Sequence, residues 1–218
     1  AWRLTQKFYM RNGCDQPLMP PELLGPSPVN NYIVAPTAEQ LEGMVRFAAD
    51  NNTCLALKTH SMPTPEMADM LRSGEALGHA VFRDPREIAL SLMDHGARNR
   101  EMLKLRDDKT DAAFTEMETL ENAYRSIDGQ LKTLESWLKL PGVFPAFYDD
   151  FAFDHVPFIK RLRRQTGLKK RSVEGVLAKF DGEKRSQFNK GQPQRWREDM
   201  TDEESAVCLA RYKPLYSR

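Results

Sequence analysis

The chain is 218 residues long, 40% hydrophobic, and balances 32 Lys and Arg against 31 Asp and Glu, for a formal net charge of +1. That length supports one substantial core, so residues 1–218 are expected to form a single domain, and near-neutrality excludes a protein held on nucleic acid or anionic lipid by its overall field. Three widely separated cysteines, Cys14, Cys54 and Cys208, with no C-x-x-C pair, fit neither a disulfide framework nor a zinc ribbon, no run is long and apolar enough to span a bilayer, and AWRLTQKFYM lacks signal-peptide order. The expectation is a soluble cytoplasmic protein whose anion sites, if any, are local.

In chain order, WRLTQKFYM opens as a helix, and the proline-rich QPLMPPELLGPSPVNN reads as loop because proline removes helical hydrogen bonds. Thr37 and Gln40 stand in capping-box spacing ahead of Leu41, Met44, Val45 and Ala48 on one face, which predicts a helix over PTAEQLEGMVRFAADNN. TCLALK, residues 53–58, then reads as a strand, PTPEMADMLRSG as a helix, ALGHAVF as a second strand and PREIALSLMDHG as a helix stopped by Gly96. From Thr110 to Leu140, the residues Phe114, Met117, Leu120, Ala123, Tyr124, Ile127, Leu131, Leu134 and Leu138 keep helical spacing, with a break expected near Gly129. GVFPAFYDD reads as a third strand weakened by Pro145, and helices follow near 154–166, 172–180 and 201–212. Strands alternating with helices predict an α/β fold with a parallel sheet, whose ligand sites lie at the carboxyl ends of the strands.

Two strand exits carry the chemistry. Side chains at i and i+2 of an extended segment point the same way, so Lys58 and His60 in CLALKTHSMP would project together from one exit. A neutral imidazole can take a proton from a hydroxyl while the ammonium holds charge developing on a transferred anionic group. The same residues also fit a solvated strand end with a turn-capping histidine. At the second exit, VFRDPRE, Asp84 reads as an N-cap, Pro85 as the first helical residue and Glu87 as completing the cap. A phosphate there would be met by the Arg83 guanidinium, with Ser91 two turns on offering a hydroxyl; a surface ion pair for Arg83 is the competing reading.

LALKTHSMP resembles the K-T-H-x-P stretch of the cytosolic-type sulfotransferase superfamily, and VFRDPREIALS resembles its 3′-phosphate segment, a strand followed by Arg and by Ser eight residues later. FYDDF is similar to the family's F-Y-E-D-[LM], and FNKGQPQRWRE resembles its R-K-G-x-x-G-D-W-K loop, so four segments in family order cover most of residues 53–198. The resemblance implies a P-loop-NTPase-like three-layer sandwich with a central parallel sheet flanked by helices. It also implies sulfuryl transfer from 3′-phosphoadenosine 5′-phosphosulfate (PAPS) to a hydroxyl or amine, with no metal. His60 matches the general base, Lys58 the lysine beside it, Arg83 and Ser91 the 3′-phosphate ligands, Lys190 and Gly191 the loop closing over that phosphate, and Tyr148 an adenine-side tyrosine. Trp2 matches the tryptophan that stacks near adenine, so the family's first strand and its K-S-G-T-T-W-type 5′-phosphosulfate loop are expected to be missing upstream of Ala1.

Asn189 stands where the family has arginine, leaving Arg195 or Arg197 as candidates to compensate, and Ser172 is a weaker match to a serine near adenine. The acceptor, a small-molecule or glycan hydroxyl, would meet the helical stretch 97–140 and the proline-rich loop near 17–36; neither region carries a readable code, and oligomeric state is equally silent. Two other readings stand beside this one: a non-catalytic module keeping the 3′-phosphate site, and a nucleotide kinase-like phosphotransferase. His79 reads as an interior histidine, His95 as a helix-end residue, Asp154–His155 as a helix start, and the basic run 160–171 as a solvated helix end rather than a nucleic-acid site.

Overall fold

In the computed structural model, residues 2–24, 32–105, 113–178 and 192–216 are described. In chain order the helices are α1 (Trp2–Arg11), α2 (Pro21–Leu24), α3 (Ala38–Asp50), α4 (Pro65–Ser73), α5 (Pro85–Lys104), α6 (Leu120–Leu138), α7 (Tyr148–Ala152), α8 (His155–Thr166), α9 (Val173–Leu177), α10 (Trp196–Asp199), α11 (Asp202–Arg211) and α12 (Lys213–Tyr216). The strands are β1 (Gly78–Phe82) and β2 (Val143–Phe147), which pair in parallel from Gly78 opposite Val143 to Phe82 opposite Phe147. Helices with a small parallel sheet give the expected α/β class. The ladder continues across Pro145, opposite Ala80, which two-stranded pairing permits because alternate residues turn their N–H away from the neighbouring strand.

The chain divides into two compact units, one of Ala1–Phe82 with Thr133–Arg185, the other of Arg83–Lys132 with Ser186–Arg218. The first holds two apolar clusters. One gathers Leu4 and Phe8 of α1, Ala146 of β2, and Phe158, Ile159 and Leu162 of α8; the other gathers Met19, Leu24, Ile33, Leu41 and Met44. The second unit packs Ala89 and Leu92 of α5 with Met117, Ala123, Tyr124, Ile127, Cys208 and Tyr212.

Capping chemistry positions the helices, at α3 with the box that the Thr37–Gln40 spacing predicts. Thr37 and Gln40 close a reciprocal capping box at α3, Thr64 caps α4 through Met67 N, Ser172 caps α9 through Gly175 N at 3.1 Å, and Thr201 with Glu204 form a second box at α11. On α3 the buried face is Leu41 and Met44, with Val45 outside it at 45% exposure.

Several expectations need correction. Among the described residues, 53–58 form no strand, and their one bridge is Lys58 with Tyr32. The ladder is replaced by the Gln16 amide, whose Nε2 donates to the Cys54 carbonyl while its Oε1 accepts from Ala56 N at 3.1 Å. Gly96 does not stop α5, which runs on to Lys104. Its role is close approach, because a Cβ there would lie 2.4 Å from the Phe114 carbonyl oxygen. Phe114 lies in a turn and Met117 just after it, both before α6, and Gly129 leaves α6 unbroken. His95 is therefore mid-helix and exposed, its ring 5.1 Å from that of Phe114.

Candidate functional site

The turn Lys58–Ser61 in the first unit is fixed by neutral hydrogen bonds around Ser61. The Ser61 hydroxyl lies 2.7 Å from Thr59 Oγ1 and accepts from Ala35 N at 3.1 Å, and Thr59 Oγ1 in turn accepts from Ser61 N at 3.1 Å. The Ser61 carbonyl accepts from the Trp137 indole N–H at 2.9 Å. Upstream, the Lys58 carbonyl accepts from Ile33 N at 2.9 Å, which lays Tyr32 alongside. The Lys58 ammonium then stands 5.9 Å from the Tyr32 ring centre and the His60 ring 5.5 Å from it, so the structure brings Lys58 and His60 to one aromatic ring.

His60 is exposed, with its ring beside that of Tyr32. Partial desolvation, aided by the Lys58 charge, holds its pKa below the usual 6.5, so the imidazole is neutral at pH 7 and can accept a proton. Tyr32, Ser61 and Trp137 were not legible as parts of this turn. Tyr32 follows the proline-rich loop and Trp137 lies 76 residues from Ser61, and nothing local marks either.

The second strand exit lies in the other unit and is built differently. Asp84 caps α5 through Arg86 N at 2.9 Å, with Pro85 in the first turn, as the spacing predicts. Glu87 does not complete that cap. Its Oε2 accepts from Arg83 Nη2 at 2.7 Å and its Oε1 from Trp196 N at 3.1 Å, because position i+4 faces Arg83 on the helix while the cap is taken by Asp84. Arg86 is buried, grips Asp84 through Nε and Nη2, and donates from Nη1 to Ser205 at 3.2 Å, while its guanidinium stacks 3.5 Å above the Trp196 ring. Arg83 thus already faces one carboxylate. Ser91 lies two turns along α5, half-buried.

Arg195 does not supply a spare cation. It is buried and forms ion pairs with Asp94, at 2.6 Å, and Asp199. Arg197 donates to Gln194 at 2.8 Å and lies 4.7 Å from the Trp196 ring centre. Tyr148 opens α7 in the first unit with its ring edge-on to Phe151 and Phe153, at 5.2 and 6.2 Å. Lys190, Gly191 and Asn189 lie outside the described residues, as does the side chain of Trp2, whose backbone begins α1.

His79, Asp154 and Arg161 make structural contacts. His79 Nε2–H donates to Gln165 at 2.7 Å beside Phe158, and burial pushes its pKa down. Asp154 caps α8 through Val156 N, and Arg161 donates to the Pro145 carbonyl. Among the described residues no three His, Cys, Asp or Glu side chains group as metal ligands, and no helix is long and apolar enough to cross a membrane. No protein-family model, curated protein or solved structure matches the chain.

Proposed function

We propose that the chain is a PAPS-dependent sulfotransferase domain on a P-loop-NTPase-like three-layer sandwich, moving a sulfuryl group to the hydroxyl or amine of a small-molecule or glycan acceptor. The observation that carries this reading is the Lys58–Tyr32–His60 cluster, a cation and a neutral imidazole beside one aromatic ring at a braced turn. His60 takes the acceptor proton as the acceptor oxygen or nitrogen bonds to sulfur. The bond from sulfur to the 5′-phosphate oxygen breaks, leaving 3′,5′-adenosine bisphosphate. Charge spread over the sulfuryl oxygens favours a fixed cation over covalent catalysis, which is the role assigned to Lys58.

Arg83, held in orientation by Glu87, is the assigned 3′-phosphate ligand with Ser91, and Tyr148, Trp2, Lys190 and Gly191 complete the cosubstrate assignments. A second reading, a module that binds the nucleotide without turnover, gains weight from Arg195, whose ion pairs with Asp94 and Asp199 keep it from replacing the arginine lost at Asn189.

Calorimetric titration with 3′,5′-adenosine bisphosphate tests the shared part of both. Binding is expected, with affinity reduced by about 10- to 100-fold in Arg83→Ala and less in Arg83→Lys, which keeps the charge but not the fork. Absence of binding, or equal binding by Arg83→Ala with its fold intact, would overturn the nucleotide assignment.

A further inference from the structure

Cys14 and Cys54 are 40 positions apart in sequence, yet the first unit joins their segments residue by residue. Cys14 N donates to the Tyr9 carbonyl at 3.0 Å, which turns the chain off α1. The next two residues then pair with the stretch around Cys54: the Asp15 carbonyl accepts from Thr53 Oγ1, and Gln16 donates to the Cys54 carbonyl while accepting from Ala56 N. These clamps on both flanks of Cys54 hold its segment beside that of Cys14. Both are free; Cys54 is exposed and Cys14 half-buried. Burial and the neighbouring Cys54 push the Cys14 thiol up, Asp15 adds to this and Lys170 opposes it.

We propose that Cys14 and Cys54 form a reversible disulfide, with Cys54 as the reagent-accessible thiol and Cys14 as the resolving one. With glutathione disulfide as oxidant, the Cys54 thiolate attacks one sulfur, releases one glutathione thiolate and leaves a Cys54–glutathione mixed disulfide. Cys14 gives its proton to solvent and attacks the Cys54 sulfur, expelling the second glutathione. Two protein thiols lose two electrons and two protons, and one glutathione disulfide becomes two glutathiones. The bond would staple the segment after α1 to the extended stretch that leads directly into Lys58 and His60. It closes a loop of about 40 residues, which limits the unfolded chain and raises the thermal midpoint.

The test is equilibration of the native protein in glutathione buffers, followed by non-reducing peptide mapping and thermal melting. The expected result is a peptide pair joined through Cys14 and Cys54, a mass lower by two hydrogens, and a higher melting midpoint that dithiothreitol reverses. Cys208→Ser should behave as the parent. Cys14→Ser should instead accumulate one glutathione on Cys54, the signature of a missing resolving thiol, and Cys54→Ser should take up little. Folding of each variant is checked by circular dichroism. Stable glutathionylation of Cys54 in the parent without the cross-link, or cross-links to Cys208 in equal yield, would overturn the proposal.

Discussion

The turn at Lys58–Ser61 and the Arg83–Trp196 region use cations in opposite ways. Around Arg83, Arg86 and Arg195, guanidinium groups meet carboxylates at 2.6–2.7 Å in largely buried surroundings, and the carboxylates in turn fix helix ends and a backbone N–H. The Lys58–His60 turn is braced by uncharged donors and acceptors, so its ammonium and imidazole are held beside an aromatic ring rather than consumed in ion pairs. A matching residue type is therefore a weaker guide than the company it keeps. Arg195 matches a phosphate-contact position but is paired with Asp94 and Asp199, whereas burial and the Lys58 charge keep His60 neutral and able to accept a proton.

If that contrast is right, the largest stability effect belongs to the ion-paired region. Arg195→Ala removes the buried guanidinium that pairs with both Asp94 and Asp199. The cost should be about 2–4 kcal/mol, below the full buried-pair range because both carboxylates are partly solvated. Urea denaturation reads this as a lower midpoint, and an unchanged midpoint would show that the network is decorative. Lys58→Ala, by contrast, should leave the midpoint nearly unmoved.

Next in size is Gly96→Ala. The new Cβ would sit 2.4 Å from one carbonyl oxygen and 3.0 Å from another, in backbone that cannot swing aside as a flexible side chain would, so a loss of about 1–3 kcal/mol is expected. The same substitution at Gly129 meets open space in an exposed stretch of α6 and should stabilise by about 0.5–1 kcal/mol. Thermal melts of the pair distinguish close approach from mere helix propensity.

The smallest effect is a pH dependence in the first unit. The folded-state pKa of His79 lies below its unfolded 6.5, so on acidification the unfolded chain binds the proton first. Stability from neutral His79 is complete above about pH 6.5 and declines as the pH falls towards the lowered native value. His79→Gln, which cannot charge, should flatten that decline, measured as urea midpoints between neutral and mildly acidic pH.

The parts of the fold written in local chemistry were legible. Thr37 with Gln40, and Asp84 with Pro85, mark helix starts because a cap is satisfied within three residues of itself. What was illegible depends on distant partners. TCLALK has strand composition, but among the described residues it forms no ladder: the Gln16 side chain meets Cys54 and Ala56, and the one bridge is Lys58 with Tyr32. Gly96 looked like a stop because its need for space comes from Phe114 and Met117, eighteen or more residues on. The Arg83–Glu87 pair was legible in principle from i, i+4 spacing, yet Glu87 also fitted a capping pattern, and only the Asp84 geometry decides between them. Within the site, Lys58 and His60 were marked by their spacing, whereas the Tyr32 ring that lies beside both was not.

The most direct test of the central claim is release of 3′,5′-adenosine bisphosphate from PAPS in the presence of phenol, alcohol and sugar acceptors, compared between the native protein and His60→Ala, with binding of the bisphosphate measured alongside. Acceptor-dependent release that falls by about 10²- to 10⁴-fold in His60→Ala, at nearly unchanged bisphosphate affinity, is the predicted result. No acceptor-dependent release by the native protein, or release that survives the loss of His60, would contradict it.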